Sequence, residues 1–362
     1  MKKEKDMKGA GKVQPSVRSR RKNRNLTNPY LYSALSSLVN PNLYLVLPGL
    51  CNALCSFCCF RKQRGTAPDD YLIKLDNILK SLPSNFTQIT VLGGEPSISP
   101  YLKDVLSLLS THRGKGNVAS KVVLTTNASG LIPSFGTFPN NLSEYLKRSI
   151  DHVNISRHSS GDNTNATIFN VGLSKWAMVP DRGTLEAICS KFNRMGIDVS
   201  LNCVLHNCKS EILIPTRIKG LLTERMYDEL YTTKGILHYL KFAKDIGASA
   251  VCFKKMESDS LEPTSTEKLF KTYKVIHSSK CPTCRSKTQL IAGMQVTWQA
   301  ALKDKSSAPP QDLIFHPNGK LALDWKGKWI VEAGENIRSK KVDSSDDSSD
   351  DDGGNCSRLG HC

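Results

Sequence analysis

The sequence predicts an α/β chain whose six strand-helix units lay parallel strands side by side under a coat of helices, with right-handed crossovers curling them into a partial barrel. Three observations carry this reading. Short β-branched apolar runs alternate with segments of helical periodicity between residues 43 and 253. The 362 residues are 39% hydrophobic, enough for a substantial core. Polar and turn-forming residues fall at strand C-terminal ends, the face on which ligands bind in such barrels.

In chain order, Leu43 to Leu47 reads as the first, buried strand, followed by a cysteine-rich loop and a helix from about Asp69 to Leu82. Gln88 to Leu92, Lys121 to Thr125, His152 to Ser156, Asp198 to Leu205 and Ala248 to Phe253 read as the next five strands. Helical periodicity marks Tyr101 to Leu109, Leu142 to Lys147, Thr184 to Met195 and Ile236 to Ile246. The polar stretch from Ser159 to Gly183, with Ile168, Phe169, Trp176 and Met178, reads as a cover over the barrel mouth or as an ordinary long connection packed beside it. No internal repeat is present.

The organisation that follows is a basic disordered arm (1–30), the barrel (40–255), a C-terminal extension with a CxxC pair and a β-hairpin (256–335), and an acidic disordered tail (336–362). Met1 to Asn25 holds ten Lys or Arg against two acids, with almost nothing apolar to bury. Such a run serves as a nucleic-acid contact, as a nuclear address in a eukaryotic host, or simply as a solvated tail. Asp343 to Asp352 is an Asp/Ser run of opposite sign, so most of the net charge of +17 falls on the folded middle and favours anionic partners, nucleic acid among them. No apolar run approaches the roughly 18 residues of a spanning helix and no secretory leader is recognised, so the expected setting is cytoplasmic, without a membrane segment.

The chemistry concentrates in Leu50-Cys51-Asn52-Ala53-Leu54-Cys55-Ser56-Phe57-Cys58-Cys59-Phe60. Three thiolates at four- and three-residue steps can hold three corners of an iron-sulfur cluster and leave one iron open to a ligand. Cys59 falls one residue late and is a spare thiol. The competing reading is a structural zinc half-site completed by Cys281 and Cys284. Those lie more than two hundred residues downstream, where paired zinc motifs are usually separated by roughly 12 to 20. Twelve cysteines in this length are too sparse for a disulfide scaffold.

Gly93-Gly94-Glu95-Pro96, one β/α unit later, lets backbone approach a ligand closely and offers a carboxylate to an ammonium group. Together, Cys51, Cys55, Phe57, Cys58 and Gly93, Gly94, Glu95, Pro96 resemble the radical S-adenosylmethionine (radical SAM) superfamily, in the manner of its molybdenum-cofactor and peptide-maturing barrels, over roughly Asn42 to Phe253.

The resemblance implies a partial (βα)6 TIM-like barrel. It implies a [4Fe-4S] cluster on Cys51, Cys55 and Cys58, SAM on the open iron, and an external electron donor. It further implies reductive cleavage of SAM to a 5′-deoxyadenosyl radical that abstracts hydrogen from a substrate the sequence does not identify. Phe57 matches the residue beside adenine; Gly93, Gly94 and Glu95 match the motif that holds the methionine amino group. Ser156 matches a strand-four residue near the methionine carboxylate or ribose, and Asn202 a strand-five residue near the ribose; Asn127 is a further contact.

Strand four continues Ser156-Arg157-His158 where those relatives more often have Ser-Leu-Asp, which makes Arg157 a candidate cation for the SAM carboxylate or a member of a structural ion pair, and His158 a candidate substrate contact or a plain hydrogen-bonding residue. Cys281 and Cys284 are open to a second cluster, a zinc ion or two plain thiols, and they precede a hairpin signalled by Pro317-Asn318-Gly319. The alternative from another class is a noncatalytic, metal-stabilised nucleic-acid-binding protein that uses the basic arm.

Overall fold

The computed structural model describes residues 41–55, 58, 66–82, 86–116, 118, 121–132, 140–169, 178–205, 232–255, 265–278, 286–299 and 312–323. Six parallel strands run in sequence order: β1 (Asn42–Leu47), β2 (Gln88–Gly93), β3 (Lys121–Thr126), β4 (His152–Ser156), β5 (Asp198–Leu205) and β6 (Ala250–Lys255). Between them lie α1 (Tyr71–Ser81), α2 (Leu102–Gly114), α3 (Asn140–Ser149), α4 (Asp162–Ile168), α5 (Arg182–Arg194) and α6 (Thr233–Asp245). After β6 come α7 (Ser265–Thr272), β7 (Val275–Ser278), β8 (Lys287–Ile291), β9 (Met294–Gln299), β10 (Asp312–Phe315) and β11 (Leu321–Ala322).

Strand alternation builds the core. Leu43, Leu45 and Leu47 on β1, Ile89 and Val91 on β2, Val122 and Leu124 on β3, and Val153 and Ile155 on β4 all belong to one cluster with the helices. The helices answer with Leu75 and Leu79, Val105 and Leu109, Leu142 and Leu146, Ile188 and Phe192, and Ile236 and Tyr239, at the three- and four-residue steps of an amphipathic face. Each such side chain contributes about 1.5–3 kcal/mol when fully buried. Residues of the opposite parity face the concave side. There only Tyr44, Val46, Leu92 and Ile314 gather into a small apolar cluster.

The sheet is an open partial barrel, and it extends past the six strands. Its order is β11-β10-β1-β2-β3-β4-β5-β6-β9-β8-β7. β10 adds parallel to β1 and β9 parallel to β6, so residues after Lys255 continue the same sheet at both margins. β10 and β11 form a hairpin around Pro317-Asn318-Gly319, with Gly319 at a φ of 76° and its N–H donated to the His316 carbonyl. β8 and β9 form a second hairpin that the sequence reading does not contain. Ala292 and Gly293 both take positive φ in its two-residue turn. An Asn-Gly pair usually announces this turn, and Ala in its first position hides the signal. α4 was missed for a related reason, since Asp162-Asn163-Thr164-Asn165 is turn-like in composition. Among the described residues, no helix is long and apolar enough to cross a membrane.

Candidate functional site

A cavity of about 170 Å³ opens where the C-terminal ends of the parallel strands meet the concave face. Thr125 of β3, Asn154 and Ser156 of β4, Asn202 and Val204 of β5 and Lys254 of β6 line its wall. Cys51, Cys55, Cys58, Gly93, Gly94 and Glu95 close it from the loops after β1 and β2. The sequence motifs, distant along the chain, therefore share one space.

The two glycines are there because backbone approaches them. Gly93 takes a φ of 150°, and a Cβ on it would sit 2.7 Å from the Leu47 carbonyl oxygen. A Cβ on Gly94 would meet the Leu50 carbonyl at 3.0 Å and the Cys51 nitrogen at 3.3 Å. Any larger residue would lift the cysteine loop off the end of β2.

Glu95 is almost completely buried, and its carboxylate is held by the protein itself. Its Oε1 accepts from the Ser97 amide at 2.9 Å, from the Ser97 hydroxyl at 2.5 Å and from the Thr126 hydroxyl, while Oε2 accepts from the Asn127 amide at 2.6 Å. Burial pushes the carboxyl above its usual range, and these hydrogen bonds pull the other way. With Oε1 filled, only Oε2 keeps accepting capacity for a cation in the cavity. The sequence reading of Glu95 as a carboxylate offered outright to an ammonium group is corrected to that extent. Its first role is to tie the turn after β2 to the end of β3. Gly130 completes the tie by donating its N–H to Ser97 Oγ at 2.8 Å.

Asn127 belongs to the same bracket. Its Nδ2 donates to Asn52 Oδ1 at 3.0 Å, and Ser129 Oγ donates to the same oxygen at 3.2 Å, so the loop after β3 grips the cysteine loop between Cys51 and Ala53. Sequence reasoning named Thr126 as a pocket or strand-end residue beside Asn127, and missed Asn52, Ser97 and Ser129. Their one signal is position, each lying within two residues of a residue already singled out.

Within the cysteine loop, the Ala53 amide donates to Cys51 Sγ at 3.4 Å, a contact that favours a thiolate, and the Cys58 amide donates to the Cys55 carbonyl at 3.2 Å. Ala53 and Cys55 pack on Phe169, with Cys51, Cys58 and Val179 at the margin. Among the described residues, no three His, Cys, Asp or Glu side chains converge on a single-ion position. Phe57, Cys59, Cys281, Cys284 and both charged tails lie outside the described residues.

His158 lines the cavity, stacked on Phe169 with ring centroids 4.8 Å apart. Its Nδ1 accepts the Val204 amide at 3.2 Å, so Nδ1 carries no proton and the neutral ring carries one on Nε2.

Arg157 does not reach the cavity, and the reading of it as a cation for the SAM carboxylate is corrected. Ser156 and His158 point inward, so the residue between them points out. Its guanidinium is buried and donates to the carbonyls of Ser159, Ser160 and Pro180 and to Asp162 Oδ1.

One buried acceptor on the cavity wall is left over. Among the described residues, Asn202 Oδ1 has no hydrogen-bond partner although the residue is only 4% exposed. An amide oxygen desolvated without a donor costs about 1–3 kcal/mol, a cost that a ligand's hydroxyl or amine would remove.

A family model described as the radical SAM superfamily matches residues 45–207, the span that holds this constellation. The chain carries a radical SAM domain. A radical SAM domain implies a [4Fe-4S] cluster and SAM as its cofactors. No curated protein matches the sequence. Among solved structures, the radical SAM chain resembles SuiB of Streptococcus suis bound to precursor peptide SuiA, at 16% identity and TM-score 0.41, with 62% of this chain and 40% of that one covered. It also resembles native anSMEcpe with bound AdoMet and the Cp18Cys peptide, at 15% identity and TM-score 0.48, with 83% and 79% covered. The radical SAM methyltransferase TsrM from Kitasatospora setae, with tryptophan substrate and a SAM analogue bound, gives 11% identity and TM-score 0.36, with 59% and 36% covered. The chain thus spans well under half the length of SuiB and of TsrM.

Proposed function

We propose that the chain is an enzyme that cleaves SAM reductively on a [4Fe-4S] cluster held by Cys51, Cys55 and Cys58, with an external electron donor as partner. The observation that carries the reading is the convergence, in one cavity, of the three cysteines, the Gly93-Gly94 backbone and the unpaired acceptor of Asn202. When bound, the reduced cluster supplies one electron to the sulfonium, and cleavage gives methionine and a 5′-deoxyadenosyl radical that takes hydrogen from substrate.

The chain's own part is orientation. Gly93 and Gly94 open room for the methionine amino group beside Glu95 Oε2. Ser156 offers a hydroxyl on the wall, and Asn202 Oδ1 accepts from a ribose hydroxyl. Phe57 takes the place beside adenine by its resemblance to the family motif. Asn127 acts through Asn52, fixing the loop rather than touching the cofactor. Lys254 on the far wall gives the cavity a cation that suits an anionic group on the substrate.

Anaerobic reconstitution followed by reduction with dithionite tests the reading. The expected result is about four irons per chain, a [4Fe-4S] signal that changes on addition of SAM, and formation of 5′-deoxyadenosine. A Cys51, Cys55, Cys58 triple Ala variant that keeps both signal and product would overturn it.

A further inference from the structure

We propose that Arg157 is the positioning residue of the cysteine loop: its buried guanidinium closes the base of the β4–α5 connection, and that connection holds the loop in place. The functional meaning rests on the ligand assignment proposed above; the geometry stands apart from it.

Arg157 heads the fully buried side chains by volume, which is unusual for a residue carrying a permanent charge. Four hydrogen bonds compensate it. At the start of the connection Nε donates to the Ser159 carbonyl at 2.7 Å, and Nη2 donates to the Ser160 carbonyl at 3.1 Å and to Asp162 Oδ1 at 2.6 Å. At its end Nη1 donates to the Pro180 carbonyl at 2.9 Å. One planar fork thus joins residues twenty-three positions apart, its face lying 5.2 Å from the Phe242 ring of α6. The backbone of Arg157 is fixed in turn, its carbonyl accepting from Tyr239 Oη at 2.6 Å and its amide donating to the Asn202 carbonyl at 2.9 Å.

Both stretches closed by this fork touch the cysteine loop. The Phe169 carbonyl, at the end of α4, accepts the Leu54 amide at 3.0 Å, between the two cysteines of the buried half of the loop. The Met178 carbonyl accepts Asn52 Nδ2 at 3.1 Å. Phe169 also packs on Ala53 and Cys55, and Val179 joins the margin of that cluster. Nothing in the catalytic reading uses the guanidinium, yet each contact that the connection makes with the loop lies within about a dozen residues of an atom it holds. A lysine has no planar fork and cannot satisfy three carbonyls and a carboxylate together.

The test reads the metal-free protein and the loaded one. Hydrogen exchange of the Leu54 amide in metal-free Arg157→Lys should accelerate roughly tenfold, while the Val91 amide inside the sheet stays within about twofold of the parent. After anaerobic reconstitution the variant should still bind iron, but its reduced-cluster electron paramagnetic resonance signal should broaden and its cluster should be lost to air several-fold faster. An unchanged Leu54 rate, or an unchanged signal and air stability, overturns the proposal. Should Arg157→Lys fail to fold, with Val91 exchanging freely, Asp162→Ala removes only the carboxylate partner. Leu54 exchange faster by about threefold then supports the proposal, and no acceleration overturns it. Parent protein that takes up no iron would refute the ligand assignment while leaving the Leu54 measurement readable.

Discussion

The two faces of the parallel sheet are built from the same strands to opposite ends. On the convex face the residues are Leu, Ile, Val and Phe with Cys203, and they join the helices in one cluster. On the concave face, beside the apolar Tyr44, Val46, Leu92, Val123, Val204 and Ile314, they are Gln88, Thr90, Asn154, Ser200 and Asn202. A parallel sheet with both faces covered would be a near-continuous apolar run. Over residues 88–91, 152–156 and 198–203 the strands instead alternate, which marks the concave face as one meant to hold something polar. Stability comes from one face, and the ligand site occupies the other.

The largest break in this comparison is expected at the cysteine loop. Cys51→Ala, Cys55→Ala and Cys58→Ala should each abolish the SAM-responsive cluster signal, with the stability of the metal-free protein moving by less than about 1 kcal/mol in urea melts. The loop packs apart from the main core, so a large loss of stability would show the two regions to be one. Next in size is a pair of neighbours on β3. Leu124→Ala on the convex face should cost about 2–5 kcal/mol and leave SAM binding alone. Thr125→Ala on the concave face should cost less than about 1 kcal/mol. Equal costs would erase the division of labour.

How much of this was legible in the sequence differs by residue. All six parallel strands and the helices α1, α2, α3, α5 and α6 were, because a period of two set against a period of 3.6 is a strong signal over a long window. The meeting of Cys51, Cys55, Cys58, Gly93 and Glu95 was legible through strand order alone, since each follows a strand on the same end of the barrel. Arg157 stood between a cofactor cation and a structural ion pair, and the same alternation, carried one residue past Ser156, turns it outward to the second, with Asp162. Glu95 was half-read. Residue type says that a carboxylate is present, but the filling of its Oε1 by Ser97 and Thr126 and the Asn127 bond to Oε2 depend on loops whose conformation no local pattern fixes. The hairpin of β8 and β9 stayed hidden behind Ala292, and the addition of β9 and β10 to the sheet margins is long-range pairing without a local signature.

A smaller effect tests the polar floor of the concave face by pH. His152 Nε2 is hydrogen-bonded to Asn154 Oδ1 at 2.9 Å and Ser200 Oγ at 2.8 Å. Burial, with Lys121 nearby, lowers its pKa to about 4. The folded state thus refuses a proton that the unfolded chain accepts below its ordinary value of about 6.5, so stability is full above that value and falls as pH drops towards 4. Between pH 7 and pH 5 this one group should account for a loss of about 2 kcal/mol. His152→Gln, which keeps a hydrogen-bond donor without titrating, should lose that much less over the same interval in urea melts. Parallel pH profiles for parent and variant would show that His152 is accessible to a proton in the folded state.

The smallest expected effect is the sharpest test of the comparison, because it carries opposite signs for stability and for binding. Asn202 Oδ1 is buried on the cavity wall without a donor, so in the unliganded protein it opposes folding. Asn202→Leu keeps the volume and removes the orphaned oxygen. The metal-free variant should be as stable as the parent or more stable by up to about 1 kcal/mol, whereas the same change on the convex face could only be neutral or harmful. If the oxygen awaits a ribose hydroxyl, SAM should bind the reconstituted variant roughly tenfold more weakly, the equivalent of about 1.4 kcal/mol for one hydrogen bond. Urea melts and calorimetric titration with SAM read the two signs separately. A variant that is less stable and binds SAM as tightly as the parent would place Asn202 with the structural residues and leave the concave wall without a demonstrated ligand contact on β5.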